Sequence, residues 1–216
     1  MNLIEPDFEI CIASSNEQIR ASQRLRYMVF IDEMGGDGVF VDHINKLEKD
    51  EFDHIFDHLI LTDRANPKIG IVGVYRLLRD EKMRNIGRFY SEGEYDLSPL
   101  HKSGLRLLEL GRSCIHPDYR GGTALYHLWK GLSDYITEYK IDILFGVASF
   151  YGTRKEDFIQ PLSYLFHNHL APDVLRPKSL VYENMNLLSL DKVDVQTAKK
   201  NIPSLIKSYL RLGGMV

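Results

Sequence analysis

An α/β fold is what this chain predicts, and three observations carry the reading. Residues 105–117, "LRLLELGRSCIHP", form an apolar run that Pro117 closes, because proline lacks the N–H a ladder needs. The next segment places Leu125, Leu128, Trp129, Leu132, Tyr135, Ile136 and Tyr139 at the i, i+3, i+4, i+7 spacing of an amphipathic helix. A buried parallel strand, "IDILFGVAS" at 141–149, and a helix marked by Phe158, Ile159, Leu162, Leu165 and Phe166 then complete strand, helix, strand, helix.

The remaining elements follow in order. "FEICIAS" at 8–14 alternates weakly, as a strand does, and Ser14 with Glu17, or Ser15 with Gln18, has the spacing of a capping box. The helix so begun runs to about Met34 and buries Leu25, Met28 and Val29, and "MGGDG" stops it with residues tolerant of positive φ. Val39 to Glu51 has little periodicity and many charges, and reads as a long exposed loop of the kind that covers a site. "DHLILTD" and "IGIVGVYRLLRD", joined through "RANPK", form a β-hairpin with a Pro-containing turn. Glu81 to Gly104 is polar and aromatic, with "RFYSEGEYDLSPL" as a lid or short helix. After Pro172 the pattern weakens until Ile202, Leu205, Ile206, Tyr209 and Leu210 mark a short amphipathic helix starting near Pro203.

Composition narrows the function classes. A chain of 216 residues with 44% hydrophobic and 26% charged content suits one medium soluble domain or two small ones, with a single core as the default. With 27 basic against 30 acidic residues the net charge is −3, so nothing global attracts nucleic acid. The longest apolar runs fall well short of the roughly 20 residues of a spanning helix. "MNLIEPDFEI" carries acidic residues where a secretory signal has basic ones, so the chain reads as cytoplasmic. Cys11 and Cys114 lie far apart without metal-type spacing, which fits a reducing compartment. His54 with His58, and His167 with His169, lack the companion ligands of a zinc pattern; no metal is expected.

The densest chemistry lies in "ELGRSCIHPDYRGG", Glu109 to Gly122. A strand that ends at Pro117 and turns through "DYRGG" into a helix points free backbone N–H groups outward where the helix dipole favours an anion. Arg120 adds a fixed positive charge, and Gly121 and Gly122 let the main chain approach a phosphate without a β-carbon in the way. The alternative is a plain tight turn.

"HPDYRGG" in that position resembles the donor-binding motif of the GNAT acyltransferase superfamily. The resemblance implies a GNAT-like mixed central sheet with a splayed strand pair, flanked by helices on both faces. It also implies a pantetheine arm between Ser113–Ile115 and a facing strand Phe145–Ser149, with Ser113, Cys114 and Ile115 along the arm and Arg120, Gly121, Gly122 and Thr123 around its phosphate. Thr123 stands where the motif's second glycine sits, which fits a single phosphodiester better than the pyrophosphate of coenzyme A. "LRYMVFIDEMG", "EFDHIFDHLIL", "GVYRLLR", "FYSEGEYDLS", "ILFGVASFYGT" and "IPSLIKSYLRLGG" extend the resemblance over most of the chain, to the bacterial L-ornithine Nα-acyltransferases. That family implies transfer of a 3-hydroxyacyl group from acyl carrier protein to the α-amino group of L-ornithine, forming lyso-ornithine lipid. No cofactor is resident; acyl-phosphopantetheine is the donor substrate, with peripheral contact to the inner membrane. One acyltransferase domain over 1–216 is implied, and family members usually continue a few tens of residues past "LRLGG" into further strands.

Residue roles follow. A free amine is mostly protonated at neutral pH, so a base must take a proton. Glu109 is the candidate, a carboxylate whose pKa rises in an otherwise apolar strand, with an ion pair to Arg112 or another arginine as the alternative. By resemblance to the acyl-homoserine-lactone synthases, Arg26, Asp53, Arg76, Glu109 and Arg112 surround the amino acid, with Asp57 less securely aligned. An arginine fork takes a carboxylate bidentately, and an acid takes the distal ammonium; alternatively these charges pair to hold helix against sheet. A backbone N–H near Cys114 or Ile115 is the implied donor to the thioester oxygen. Cys114 reads as a small buried apolar residue rather than a nucleophile, and Tyr126, Tyr151 and Tyr164 are candidate proton donors. Lys199, Lys200, Lys207 and Arg211 lie beside an apolar stripe that suits an acidic carrier protein, anionic headgroups or an ordinary surface. The competing functions are an acyl-homoserine-lactone synthase, a coenzyme A-dependent small-acyl acetyltransferase and a non-catalytic acyl-carrier or lipid-binding module.

Overall fold

The protein is described from a computed structural model covering residues 5–84 and 87–216. In chain order the elements are β1 (Phe8–Ile12), α1 (Asn16–Arg26), a π-helix (Tyr27–Glu33), β2 (Asp57–Asp63), β3 (Ile71–Arg79), α2 (Asp80–Met83), β4 (Tyr95–Asp96), α3 (Ser98–Lys102), β5 (Leu107–Ile115), α4 (Ala124–Tyr139), β6 (Ile143–Phe145), α5 (Ile159–His169), β7 (Lys178–Ser179), α6 (Val195–Asn201) and α7 (Ser204–Arg211). They fall into two compact units, one reaching Tyr90 and resuming at Arg106–Gly146, the other made of Ser91–Leu105 and Val147–Val216.

The first unit is built on a five-stranded sheet, β1-β2-β3-β5-β6, antiparallel except for the β5–β6 pair. The predicted hairpin is β2–β3, and the predicted capping box starts α1, where the Gln18 N–H donates to Ser15 Oγ and Gln18 Oε1 accepts from the Ser15 N–H. Leu25 and Val29 pack with Ile60, Val74 and Cys114. Met28, expected inside, is 40% exposed. The change from α to π geometry at Tyr27 is the cause, since a wider turn shifts each later side chain off the 3.6-residue stripe. On α4, Leu128, Leu132 and Tyr135 are buried as their spacing predicts, whereas Leu125 is partly exposed. Gly131 of α4 lies against Ile10 and Leu59. Leu59 and Ile60 are adjacent in β2 and point to opposite faces, so α4 and α1 cover the two sides of the sheet.

Two departures from the sequence reading shape the site. The strand expected over 141–149 is confined to β6, which is partly exposed rather than buried because it is the sheet's edge, and Gly146 to Ser149 form no strand. Its pairs run only from Leu107↔Ile143 to Glu109↔Phe145, which leaves Leu110 to Ile115 of β5 without a β6 partner. Gly146 marks the divergence: a β-carbon there would sit 2.3 Å from the Leu110 carbonyl oxygen, so only glycine lets the chain pass so close. The loop over 39–51 is not exposed throughout: Glu51 at its end is, but the stretch before it turns inward. Leu47 and Glu48 are buried, and Phe52 and Phe56 just beyond it join the core; two apolar anchors and an acid with buried arginine partners draw it inward.

The second unit packs α5, α6 and α7 around Tyr164, Leu165, Ala198, Ile202 and Ile206, beside a two-stranded β4–β7 sheet. The helices at 159 and 204 agree with their apolar spacing. Between them, α6 has no counterpart in the sequence reading, because Ala198 and Ile202 alone make its inner face; Asp194 caps it by accepting from the Gln196 and Thr197 N–H groups. The polar stretch 81–104 yields α2, β4 and α3, with residues 85 and 86 outside those described. Among the described residues no helix is long and apolar enough to cross a membrane.

Candidate active site

A β-bulge sets the geometry. Val74 pairs with Cys114 and Arg76 with Gly111, so Arg112 and Ser113 together stand opposite Tyr75. Arg112 takes φ +53°, a strained value for a residue with a side chain. The extra residue re-aims the Arg112 guanidinium toward the loop that precedes β2. Its Nε donates to Glu48 Oε1 at 2.9 Å and its Nη2 to Asp50 Oδ2 at 3.3 Å, and its charge lies 5.0 Å from the centre of the Tyr90 ring. Burial works to lower the guanidinium pKa, but Glu48 and Tyr90 outweigh it and hold the value above the ordinary one.

Behind Arg112 lies a buried ionic cluster. Arg26 of α1 donates through Nε to Glu48 Oε2 at 2.6 Å and through Nη1 and Nη2 to the two Asp53 oxygens at 2.8 and 2.9 Å. Arg76 of β3 forks onto Asp50 at 2.7 and 2.8 Å and reaches Asp53 Oδ1 at 2.8 Å, with its face 4.5 Å from the Phe56 ring centre. Three guanidinium groups thus face three carboxylates, and the cluster is close to neutral. Arg26 and Arg76 side chains are 0% and 1% exposed, whereas Asp50 and Arg112 reach 14% and 24%. The solvent side of the cluster is therefore Asp50 and Arg112. Arg76 Nε is buried and lacks a hydrogen-bond partner among the described residues.

His58 supports the cluster from below. One ring nitrogen lies 3.0 Å from the Asp53 carbonyl oxygen and the other 2.9 Å from Ser22 Oγ. Burial and then Arg26 lower its pKa, so the imidazole is neutral. Asp53 sits well below the ordinary carboxylate range, because Arg26 and Arg76 outweigh the opposing effect of burial.

Glu109 is 1% exposed, and its Oε2 accepts the Tyr90 N–H at 2.8 Å. Tyr90 therefore links it to the cluster, with its N–H on Glu109 and its ring against Arg112. Asp57 belongs elsewhere: its oxygens take Lys82 Nζ at 2.5 Å and the Tyr135 hydroxyl at 2.6 Å. Cys114 is buried, which pushes its thiol up to about 12 and disfavours a thiolate. Of the candidate proton donors, Tyr126 and Tyr151 are exposed, while Tyr164 is in the second unit's core.

Beyond Ile115 the chain forms the turn its composition predicts. A single 3₁₀ turn covers Pro117–Tyr119, Gly121 adopts φ +76°, and α4 begins at Ala124. Thr123 precedes α4 and makes no side-chain cap bond among the described residues. Arg120 is exposed to solvent, with Nη1 and Nη2 each 2.6 Å from an oxygen of Glu33 and Nε donating to the Ile115 carbonyl at 3.1 Å.

The structure brings Arg26, Asp53, Arg76 and Arg112 together, as the resemblance groups them, and adds Gln23, Glu48, Asp50, His58 and Tyr90 around them and Glu33 on Arg120, none of which sequence reasoning places there. The one signal for Glu48 and Asp50 is the density of charge in an aperiodic loop.

A sheet with helices on both faces, a strand edge that its parallel neighbour leaves unpaired and a glycine turn into a helix give the architecture of the GNAT class. A family model described as an acetyltransferase (GNAT) domain matches residues 25–130. Curated relatives narrow the class. The L-ornithine Nα-acyltransferase of Rhodobacter capsulatus is 52% identical over 212 residues, covering 97% of this chain and 82% of that protein. Its Brucella abortus counterpart is 40% identical over 215 residues, covering 96% and 76%. The chain belongs to the L-ornithine Nα-acyltransferase family and is an N-acyltransferase. Among solved structures, the AHL synthase LasI has a TM-score of 0.48 at 17% identity, covering 67% of this chain and 74% of that one.

Proposed function

We propose that the protein transfers a 3-hydroxyacyl group from the phosphopantetheine of acyl carrier protein to the α-amino group of L-ornithine, forming lyso-ornithine lipid. The names of its relatives support ornithine. The observation that carries the donor reading is the open edge of β5 over Leu110–Ile115, which runs into the Gly121 turn and the amino end of α4. An extended pantetheine arm adds to such an edge as a strand would. The His116 N–H donates to Val72 at 2.8 Å on the β3 side. Alternation along a strand then turns the Ile115 N–H to the open side, where it suits a thioester oxygen better than Cys114 does.

In this reading Ser113, Cys114 and Ile115 line the arm, and Arg120, Gly121, Gly122 and Thr123 surround its phosphate. Arg112 and Asp50, the partly buried members on the solvent side of the cluster, meet the amino acid: the guanidinium takes the α-carboxylate and the acid takes an ammonium. Arg26, Asp53 and Arg76 hold those two in place from beneath. Glu109 receives the amine proton through water as the new C–N bond forms and the C–S bond breaks, and the departing thiolate is protonated by solvent. The reading takes residues 1–216 as one cytoplasmic acyltransferase domain whose amphiphilic product leaves through contact with the inner membrane.

Replacing Glu109 with Gln tests the base. General-base loss predicts a fall in turnover of about 10²–10⁴-fold with acyl carrier protein and ornithine, while carrier binding persists. Unchanged turnover removes Glu109 from the mechanism.

A further inference from the structure

The guanidinium at the phosphate turn is met by an acid from a distant segment. Glu33, the last residue of the π-helix, places Oε1 and Oε2 at 2.6 Å from Arg120 Nη1 and Nη2, a bidentate pair whose side chains are 42% and 41% exposed. Arg120 is anchored from its other side, because Nε donates to the carbonyl of Ile115, the last residue of the open β5 edge. The pair is thus tied to the donor strand rather than lying anywhere on the surface. Asp118, in the same turn, has a side chain 76% exposed.

From this geometry we propose that Glu33 is a donor-specificity residue: its carboxylate, forked on Arg120 beside the β5 edge, admits the singly charged phosphodiester of carrier-linked pantetheine and disfavours the multiply charged phosphates of coenzyme A. The inference rests on the pantetheine reading above and selects between its two sources. A ligand phosphate at this turn meets an ion pair rather than a bare cation. One guanidinium against Glu33 and Asp118 gives the turn a formal charge of −1, which the amino end of α4 offsets by about half a charge. A phosphodiester carries one negative charge and suffers little repulsion from such a surface. Coenzyme A carries a pyrophosphate and a further phosphomonoester of nearly −2, so the same carboxylates repel it several times more strongly.

The experiment compares kcat/KM for a 3-hydroxyacyl group carried on acyl carrier protein with the same group on coenzyme A, at saturating ornithine, for the unaltered protein and for Glu33→Gln. The substitution keeps the shape and removes one charge at an exposed site. The ratio of coenzyme A to carrier activity is expected to rise about tenfold, the effect of one charge at contact distance near a surface, and the rise is expected to shrink in high salt. A ratio that stays within about twofold, or falls, overturns the assignment. Free coenzyme A is titrated in parallel against both proteins. Tighter binding to Glu33→Gln supports the assignment even if neither donor acylates ornithine, a result that sinks the substrate reading alone; unchanged binding refutes the role of Glu33.

Discussion

Replacing Asp53 with Asn separates the buried foundation of the site from its working surface. Asp53 accepts from Gln23 Nε2 at 3.0 Å, from Arg26 Nη1 and Nη2 at 2.8 and 2.9 Å, and from Arg76 Nη1 at 2.8 Å. An amide in its place has one oxygen, so two of these four bonds are lost whichever way it turns, and its NH₂ then faces other donors. The cluster also changes from three charges of each sign to one excess positive charge among side chains that are almost fully buried. Removing one member of a buried ionic network costs about 3–5 kcal/mol. At ~2–4 °C per kcal/mol for a chain of this size, the melting temperature falls by about 6–20 °C at pH 7, as calorimetry or circular dichroism measures. The sign of the pH dependence follows from the same contacts. The folded carboxyl titrates below its unfolded value, so its contribution is fully present above about pH 4 and is lost as pH falls toward the depressed folded value. The Asp53→Asn variant lacks this acid-linked part. A melting temperature within about 2 °C of the unaltered protein, together with lost turnover, would refute the reasoning and place Asp53 against substrate.

Other perturbations test other parts of the site. Gly146→Ala drives a β-carbon toward the Leu110 carbonyl oxygen and is expected to destabilise the protein by about 1–3 kcal/mol, measured as a lower denaturant midpoint; an unchanged midpoint means the chain does not pass so close. Iodoacetamide at pH 8 is expected to label Cys11, which is exposed, and to spare Cys114 until guanidinium unfolds the chain, as mass spectrometry reads out. Fast labelling of Cys114 in the folded protein would reopen a covalent acyl-enzyme.

The parts of the fold visible in the sequence are those with local causes. Pro117 follows the end of β5, Leu128 and Leu132 face inward from α4, and Ser15 with Gln18 starts α1. What stays hidden depends on partners far along the chain. Glu48 and Asp50 look like solvated loop charges until Arg26, Arg76 and Arg112 arrive from α1, β3 and β5, and no periodicity announces that meeting. The inward reading of Met28 assumes a 3.6-residue period that the π-helix breaks. The short length of β6 goes with the close approach of Gly146 to the Leu110 carbonyl of β5, a tertiary contact that an unbroken apolar run does not reveal. For the site, the motif at 116–122 is legible because it carries charge and glycine at distinctive positions, whereas Arg26, Arg76 and Arg112 are picked out only by the resemblance to the acyl-homoserine-lactone synthases. Tyr90 acts through its backbone N–H, which any residue but proline supplies, and Glu33 is separated from Arg120 by more than eighty positions.

Product analysis addresses the central claim, that an acyl chain passes from a pantetheine thioester to the α-amino group of ornithine. Purified protein is given 3-hydroxyacyl carrier protein with equal concentrations of ornithine, lysine, glutamine and S-adenosylmethionine, and the products are fragmented by mass spectrometry. A single product, ornithine acylated on its α-nitrogen, is the predicted result. An acyl-homoserine lactone, acylation of the distal nitrogen or acylation of all the amino acids alike would contradict it.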